Sequence, residues 1–306
     1  MITWKSTSGL TLVELLVVLT IMAAVTTAAV VSTNGIFDQS KFEASQRTLE
    51  EIHFSVLGDA SARDERGSLR LSGFLADVGR LPKAKGNDPL LQLGELWDPA
   101  GLPAYSSHTA AGDADVTMMT GWNGPYVRIT VASFQQADGW GRPFLFFKAD
   151  GVTSVADTDE IAVIKNLGAD GAVGGVGFDA DFPPLALSTL QSADLSGYVY
   201  YRTSGTTPVL MHGNRIIVRV YGPDPADSSL KTLKESSPIP VTGSPIFFSL
   251  PAVSKGPRII RAYQVDSTSV PATMESVISV AGGEAVSGPL RIAHDGRPQD
   301  LILNDK

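Results

Sequence analysis

The sequence predicts an α+β protein. A long N-terminal helix, transmembrane at first and then amphipathic, would lie on a small antiparallel β-sheet head, and a C-terminal all-β sandwich would follow. An apolar run occupies residues 10–31, close to the roughly 20 residues that cross a bilayer as a helix. From residue 184 onward, short runs rich in Val, Ile and aromatic residues alternate with Gly, Pro, Ser and Asp turns, as strands do.

The first element is a helix over residues 10–60, of which 10–31 form the predicted membrane span. No proline occurs before Pro82, so nothing forces an earlier break. Beyond the span, apolar side chains recur at helical spacing: Phe42, Leu49, Ile52 and Val56. We therefore expect an amphipathic continuation, laid against the head and ending at Gly58.

Glu14 is the one charged residue within the apolar run. A carboxylate in hydrocarbon costs several kcal/mol unless it is paired, so it is a candidate functional residue. The alternative is a plain anchor or an uncleaved signal sequence that carries a stray acid.

The run SGLTLVELLVVL, residues 8–19, resembles the N-terminus of type IV pilins and type II secretion pseudopilins. Their pattern is a short leader ending in Gly, an apolar residue, and then Thr-Leu-Ile/Val-Glu. The resemblance implies that residues 1–9 are a leader peptide and that a prepilin peptidase cuts between Gly9 and Leu10. It also implies methylation of the new amine. Leu10 stands where the family more often has Phe.

The same resemblance implies how the mature chain assembles. Glu14 would pair with the amine of a neighbouring helix in a homo-oligomeric or mixed pilin filament, and such a pair can fix register. The implied partners are the prepilin peptidase and an inner-membrane assembly platform. The implied location is the inner membrane, crossed once with the C-terminal part in the periplasm, and then a periplasmic or surface filament.

Residues 61–183 are predicted to form the head. The segments GWNGPYV (121–127) and DGWGRPFLF (138–146) resemble the head of the major, G-type pseudopilin, where such a turn leads into a small antiparallel sheet. FLFFKAD (144–150) and EIAVIKN (160–166) indicate two strands, and residues 84–120 indicate an irregular connection with short helical turns. Trp122 and Trp140 could form a sugar-binding platform, although their Gly/Pro turns favour rings that anchor the turns.

A glycine-rich loop, NLGADGAVGGVGFDADF (166–182), carries Asp170, Asp179 and Asp181. Carboxylates and main-chain carbonyls on a flexible backbone suit Ca²⁺. The spacing is not that of an EF-hand, and three carboxylates disfavour a phosphate site. The alternative is a solvated acidic turn.

This loop resembles the calcium loop of the major pseudopilin, whose pattern runs Ser-Leu-Gly-Ala-Asp-Gly, Gly-Gly, Asp-Ala-Asp. Asn166 stands in place of the usual Ser. The resemblance implies that Asn166 and Leu167 join the three aspartates as metal ligands, with a structural role for the ion.

Residues 184–306 lie beyond the part of the chain that the resemblance covers. Their strand-like runs include GYVYYRT, NRIIVRVYG, SPIFFSL and PRIIRAYQV, which predict a sandwich of immunoglobulin-like or transthyretin-like type. No catalytic constellation is evident, because His212 and His294 stand alone.

Composition excludes several function classes. The chain has no Cys, so thiol nucleophiles, iron–sulfur clusters and Cys-based zinc sites are ruled out. Residues 1–183 hold 13 Lys/Arg against 22 Asp/Glu, and residues 184–306 hold 11 against 10. This balance argues against nucleic acid as a main partner.

The sequence therefore predicts a filament subunit and not an enzyme. It would be a pseudopilin that supports protein export across the cell envelope by type II secretion. The alternative is a surface pilin whose C-terminal domain is an adhesive or recognition module. A secreted enzyme with an N-terminal anchor is disfavoured by the absence of a catalytic site.

Overall fold

The computed structural model describes residues 11–59, 72–86, 88, 91–99, 101–127, 137–202, 215–240, 245–265, 286–287, 290–294 and 301–304. The side chains of residues 28–34, 200–202, 264–265, 286–287, 293–294 and 301–304 are outside this description. The helical elements are α1 (Leu12–Leu57), α2 (Phe74–Val78) and α3 (Leu187–Leu190), with 3₁₀ turns at Gly94–Leu96 and Gly177–Asp179.

The strands of the first half of the chain are β1 (Ser106–Ala110), β2 (Asp113–Thr120), β3 (Leu145–Phe147), β4 (Val163–Lys165) and β5 (Leu185–Ala186). Those of the second half are β6 (Ser192–Arg202), β7 (Arg215–Pro223), β8 (Leu230–Glu235), β9 (Ile239–Pro240), β10 (Ile246–Ser254), β11 (Gly256–Val265), β12 (Val286–Ser287), β13 (Leu290–His294) and β14 (Leu301–Asn304).

Helix α1 begins with a capping box. The Thr11 hydroxyl accepts a hydrogen bond from the Glu14 N–H at 3.3 Å, and the Glu14 carboxylate accepts from the Thr11 N–H and hydroxyl, each at 2.9 Å. The helix runs for 46 residues and ends at Gly58, whose φ of 82° favours glycine. The predicted long helix and its end at Gly58 are confirmed.

The two halves of α1 have different surroundings. The large apolar side chains from Leu12 to Val25 are 48% to 81% exposed, whereas Ile52 and Val56 are fully buried in the head. Within the residues that the structure describes, no helix meets the length and hydropathy of a membrane span. The predicted span, 10–31, has both its ends outside the residues whose side chains are described.

Two serines on α1 hold the two tryptophan-containing turns. The buried Ser45 hydroxyl donates to the Lys41 carbonyl at 2.9 Å and accepts from the Gly139 N–H at 2.8 Å. The Ser55 hydroxyl donates to the Tyr126 carbonyl at 3.0 Å. A Cβ on residue 139 would lie 2.0 Å from the Lys41 carbonyl oxygen, so only glycine allows this approach. The buried Ser45 hydroxyl therefore holds the turn at Gly139 against α1.

The head buries apolar side chains between α1, α2 and a small sheet. Strands β3, β4 and β5 pair antiparallel in that order, which confirms the two predicted strands as β3 and β4. The Trp122 N–H donates to the Glu95 carbonyl at 2.8 Å, and its ring meets Tyr126 edge-on, as expected for a turn anchor. The core includes Ile52, Val56, Phe74, Leu93, Leu96, Phe144, Ile161 and Ile164.

A β-hairpin occupies part of the stretch predicted as an irregular connection. Strands β1 and β2 pair antiparallel, so that prediction is wrong for residues 106–120, although a 3₁₀ turn does form at Gly94–Leu96. Val116 on the hairpin packs with Tyr221 and Ile259 of the C-terminal sheet. Tertiary packing, not local pattern, decides the strand conformation here.

A buried polar cluster fixes this hairpin to the sheet. Asp113 accepts hydrogen bonds from the Arg261 guanidinium and the Tyr263 hydroxyl, and the Tyr221 hydroxyl lies 3.4 Å away. Asp115 contacts the same guanidinium at 3.1 Å. Burial raises the pKa of Tyr221 and of Tyr263, so both phenols stay protonated and can donate.

The C-terminal strands form one rolled sheet, which corrects the predicted sandwich. The described strands follow the order β10-β6-β14-β12-β11-β7-β8, with β13 paired to β11 and β9 to β7. The pairs are antiparallel except β14 on β6, and this parallel pair joins what would otherwise be two sheets. The end strands β10 and β8 contact each other, and the roll encloses apolar side chains that include Leu195, Val199, Val218, Val220, Phe248 and Ile260.

Candidate functional site

Glu14 lies in the first turn of α1, whereas Gly9 and Leu10 lie outside the described residues. Within one chain, both contacts of the Glu14 carboxylate go to Thr11 and both use Oε2. A carboxylate has acceptor capacity on each oxygen, and a negative charge is favourable at a helix N-terminus. The exposed Glu14 can therefore cap its own helix and still accept a donor from another chain.

The surface around Glu14 is apolar and exposed. Leu12, Val13 and Leu15 are 81%, 68% and 54% exposed, and the exposed apolar side chains continue along α1 as far as Val25. Contiguous apolar surface of this extent marks a site of association with protein or lipid. The acid thus lies at one end of an association surface.

The glycine-rich loop, residues 166–182, connects β4 to β5 and is held by its own backbone. The Ala169 N–H donates to the Phe178 carbonyl at 2.8 Å, and the Asp181 N–H donates to the Gly174 carbonyl at 3.1 Å. At Gly175, φ is 89° and a Cβ would lie 2.3 Å from the carbonyl oxygen of Asp179. The loop therefore needs glycine at this crossing.

The predicted metal ligands all lie in this loop, but they do not converge. The three aspartates, Asp170, Asp179 and Asp181, are exposed. Asp170 accepts from the Ala172 N–H at 2.9 Å, and Asp181 accepts from the Gly174 N–H at 3.1 Å. In the described part of the chain, no group of three or more His, Asp or Glu side chains is placed to hold a metal ion.

The other two predicted ligands lie at the base of the loop. Asn166 is 4% exposed and Leu167 is half-buried. The Asn166 side-chain oxygen accepts from the Gly168 N–H at 3.0 Å, and its amide nitrogen is buried without a hydrogen-bond partner. The loop thus carries the oxygen donors that a calcium ion takes.

Arg142 contacts the loop, and sequence reasoning did not find this contact. Its Nη1 donates to the Gly168 carbonyl at 2.9 Å, and its guanidinium carbon would lie 3.0 Å from a Cβ on Gly171. The turn that carries Arg142 is ordered by Asp138, which accepts from the N–H groups of Trp140 and Arg142. The positively charged Arg142 guanidinium is thus held in contact with the acidic loop.

A buried arginine of the C-terminal sheet and a partly buried aspartate of α2 influence each other electrostatically. Arg258 is fully buried and donates to the carbonyls of Ser254, Lys255 and Pro257. Burial lowers the pKa of Arg258 to about 9, an effect that the charge of Asp77 opposes. Burial also raises the pKa of Asp77 from 3.8 to about 6. Hydrogen bonds to the carboxylate, including one from the Tyr126 hydroxyl, lower the pKa and so limit this rise.

Because its pKa is raised by folding, Asp77 favours the folded state most when it is protonated. Its contribution to stability should fall as the pH rises from about 4 to about 6, by up to about 3 kcal/mol. Asp77→Asn should remove this decline and be at least as stable as the wild type at pH 7. Urea unfolding of both chains across this pH range measures the difference, with the exposed Asp38→Asn as control. A constant difference between Asp77→Asn and wild type would contradict the prediction.

Comparison with known proteins identifies one motif. The family described as Prokaryotic N-terminal methylation motif matches residues 4–30, which supports a type IV pilin- or pseudopilin-like protein. The motif belongs to structural proteins and not to enzymes, and it indicates a filament protein associated with the cell envelope. No curated protein matches the sequence.

One solved structure is similar in part: an alternative pilotin from the type II secretion system of Vibrio cholerae. It is 12% identical, with a TM-score of 0.26, over 38% of this chain and 98% of that chain. A TM-score this low does not establish a shared fold.

Proposed function

We propose that this chain is a pseudopilin-type filament subunit of a type II secretion system. A prepilin peptidase cuts it between Gly9 and Leu10, and the new amine is methylated. The mature chain is held in the inner membrane by α1, with its C-terminal part in the periplasm. An assembly platform then adds it to a short filament that supports protein export.

The observation that carries this proposal is the form of α1. One unbroken helix presents an exposed apolar half, with Glu14 at its start, and a second half that is packed into the head. The exposed half coincides with the matched methylation motif. An apolar helix that projects from a folded head can lie in a bilayer and later pack against its copies in a filament.

Processing tests the proposal directly. We expect the mature protein to begin at Leu10 with a methylated α-amine, because Gly9 and Leu10 stand at the leader junction. Mass spectrometry of the protein purified from cells with and without prepilin peptidase measures this. An intact Met1, or a cut that removes Glu14, would contradict the filament role.

Calcium is the second part of the proposal. We propose that Ca²⁺ is held by Asp170, Asp179 and Asp181 with the carbonyls of Asn166 and Leu167. Bound calcium would supply the positive charge that draws the three carboxylates together and closes the loop. Arg142 would keep its hydrogen bond to the carbonyl of Gly168, the first glycine of the loop.

We expect Ca²⁺ to raise the melting temperature of the head by several degrees. Ligand at one hundred times its Kd stabilises a folded protein by about 2.7 kcal/mol. Differential scanning calorimetry of the full chain in detergent, with Ca²⁺ or with chelator, measures this shift. The double variant Asp179→Ala/Asp181→Ala should abolish it, and the exposed Asp150→Ala should preserve it. Identical melting curves in Ca²⁺ and chelator would contradict calcium binding.

A surface pilin remains the second candidate, because the C-terminal sheet exposes an aromatic pair. Tyr198 and Phe247 are 42% and 55% exposed, and their rings meet edge-on at 5.5 Å. Such a pair suits a recognition surface. Immunogold imaging separates the candidates, because a surface pilin is labelled on long extracellular fibres and a secretion pseudopilin is not.

A further inference from the structure

The side chain of Asn166 places an amide nitrogen inside the protein at the base of the glycine-rich loop. Asn166 is 4% exposed, and within the described part of the chain its Nδ2 has no hydrogen-bond partner. Buried polar groups in folded proteins are almost always hydrogen-bonded, because a donor that is removed from water and left unpaired destabilises the fold. This nitrogen therefore calls for an acceptor.

The rest of Asn166 is held in place. Its Oδ1 accepts from the Gly168 N–H at 3.0 Å, which fixes the orientation of the side-chain amide. Its main-chain carbonyl accepts from the Phe182 N–H at 3.0 Å and keeps a second lone pair. Arg142 holds Gly168 from the other side, by donating to the Gly168 carbonyl at 2.9 Å. Nδ2 thus has a defined position where the two ends of the loop meet.

The carboxylate of Asp179 is an acceptor in the same loop. The Gly168 backbone lies against that of Asp179, since a Cβ on Gly168 would be 2.8 Å from the Asp179 carbonyl oxygen. The Asp179 side chain itself is exposed. An ionised carboxylate has acceptor capacity on both oxygens, so it can bind a metal ion through one oxygen and accept a hydrogen bond on the other.

We propose that Asn166 is a positioning residue of the calcium site, and that its Nδ2 donates to the carboxylate of Asp179 when the loop closes on Ca²⁺. The inference rests on the calcium binding proposed above. Carboxylates that bind a metal are themselves held by hydrogen bonds, and removing such a partner typically weakens metal binding by about 10- to 100-fold. The step that binds the ion would then also satisfy the buried nitrogen.

Asn166 would serve the site through two different groups. Its main-chain carbonyl would bind the ion, and a substitution leaves that group in place. Its side-chain nitrogen would hold a second ligand, and a substitution removes it. The side chain can therefore be tested without removing a metal ligand.

Asn166→Ser separates this role from ordinary packing. The serine hydroxyl can still accept from the Gly168 N–H, as in an ST turn, but it ends short of the position of Nδ2. Isothermal titration calorimetry of the full chain in detergent should show Ca²⁺ binding at least tenfold weaker than in the wild type. In chelator, the melting temperature should be unchanged or higher, because an unpaired buried donor has been removed.

Asn166→Ala is the comparison variant, because it also loses the bond to Gly168. It should melt below the wild type both in Ca²⁺ and in chelator. If Asn166→Ser instead lowers the melting temperature equally in the two conditions, Nδ2 is bonded with and without the ion, as to a buried water. That result would overturn the proposal.

A double-mutant comparison tests Asp179 as the acceptor. Asp179→Ala and Asp181→Ala should each weaken Ca²⁺ binding. Adding Asn166→Ser should cause little further loss with Asp179→Ala, but at least a further tenfold loss with Asp181→Ala. Equal further losses in the two backgrounds would contradict a bond to Asp179 and overturn the proposal.

The wild-type titration separates this inference from the function on which it rests. If the wild-type chain binds no Ca²⁺, the proposed calcium site fails and the role of Asn166 fails with it. If the wild type binds Ca²⁺ and Asn166→Ser binds it equally well, calcium binding stands and only the role of the Asn166 side chain is wrong.

Discussion

Glu14→Gln should leave the chain folded and inserted in the membrane but reduce its assembly into filaments at least tenfold. The amide keeps an oxygen that can accept from the Thr11 N–H and hydroxyl, as the carboxylate does at 2.9 Å, because Gln serves in a capping box as Glu does. Only the negative charge is lost. A neighbouring amine buried in the filament would then lack its counter-charge, which is strongly unfavourable.

Thr11→Ala is the matched control, because it removes the capping hydroxyl and keeps the charge. A lost N-cap costs about 1 kcal/mol, which a 46-residue helix packed on a head should tolerate. We expect this variant to assemble close to wild-type levels. Sedimentation of sheared filaments and immunoblotting, with membrane fractions for total protein, compare the variants. Assembly of Glu14→Gln at wild-type levels together with failure of Thr11→Ala would show that residue 14 acts only as a cap.

Helix α1 and the strands β3 and β4 could be predicted because their determinants are local. The capping pair Thr11 and Glu14 lies three residues apart, and the C-terminal Gly58 follows directly on the apolar stripe. The strands β3 and β4 are contained in runs of apolar residues. In each case the residues that form the element also mark its limits.

The elements that could not be predicted depend on contacts between distant residues. Strand β2 has only a weak alternation of apolar and polar residues. Its Asp113 carboxylate accepts a hydrogen bond from Arg261, which lies 148 residues further along the chain. The single rolled sheet depends on β14, which pairs with β6 about one hundred residues earlier. Sequence periodicity indicates that strands form, but it carries no information about which strand lies beside which.

The surroundings of the predicted metal site also depend on contacts between residues that are distant in sequence, and these could not be predicted. The loop and its aspartates follow from glycine spacing and acid content, whereas the position of Arg142 depends on how the turn at 138–142 packs. That turn meets α1 through Gly139 and Ser45 and meets the loop through Gly168. Residue types alone could not indicate that a guanidinium would lie against the loop.

Asp113→Ala should strongly destabilise the packing of the hairpin β1–β2 on the C-terminal sheet. It would leave the Arg261 guanidinium, whose side chain is 8% exposed, without its buried counter-charge, and two buried phenols without a shared acceptor. Removing one partner of a buried ion pair costs about 3–5 kcal/mol. The hairpin β1–β2 should detach, and the midpoint of urea unfolding, followed by circular dichroism of the full chain in detergent, should fall accordingly.

Asp115→Ala provides the matched comparison, because the same guanidinium contacts both acids. The Asp115 side chain is 69% exposed and lies 3.1 Å from Arg261, so its loss should cost about 1 kcal/mol or less. The variant Asp113→Ala/Arg261→Ala removes the unpaired charge as well as the acid. It should therefore be less destabilised than the sum of the two single variants. Equal losses for Asp113→Ala and Asp115→Ala, or strict additivity in the double variant, would show that the cluster does not hold the hairpin on the sheet.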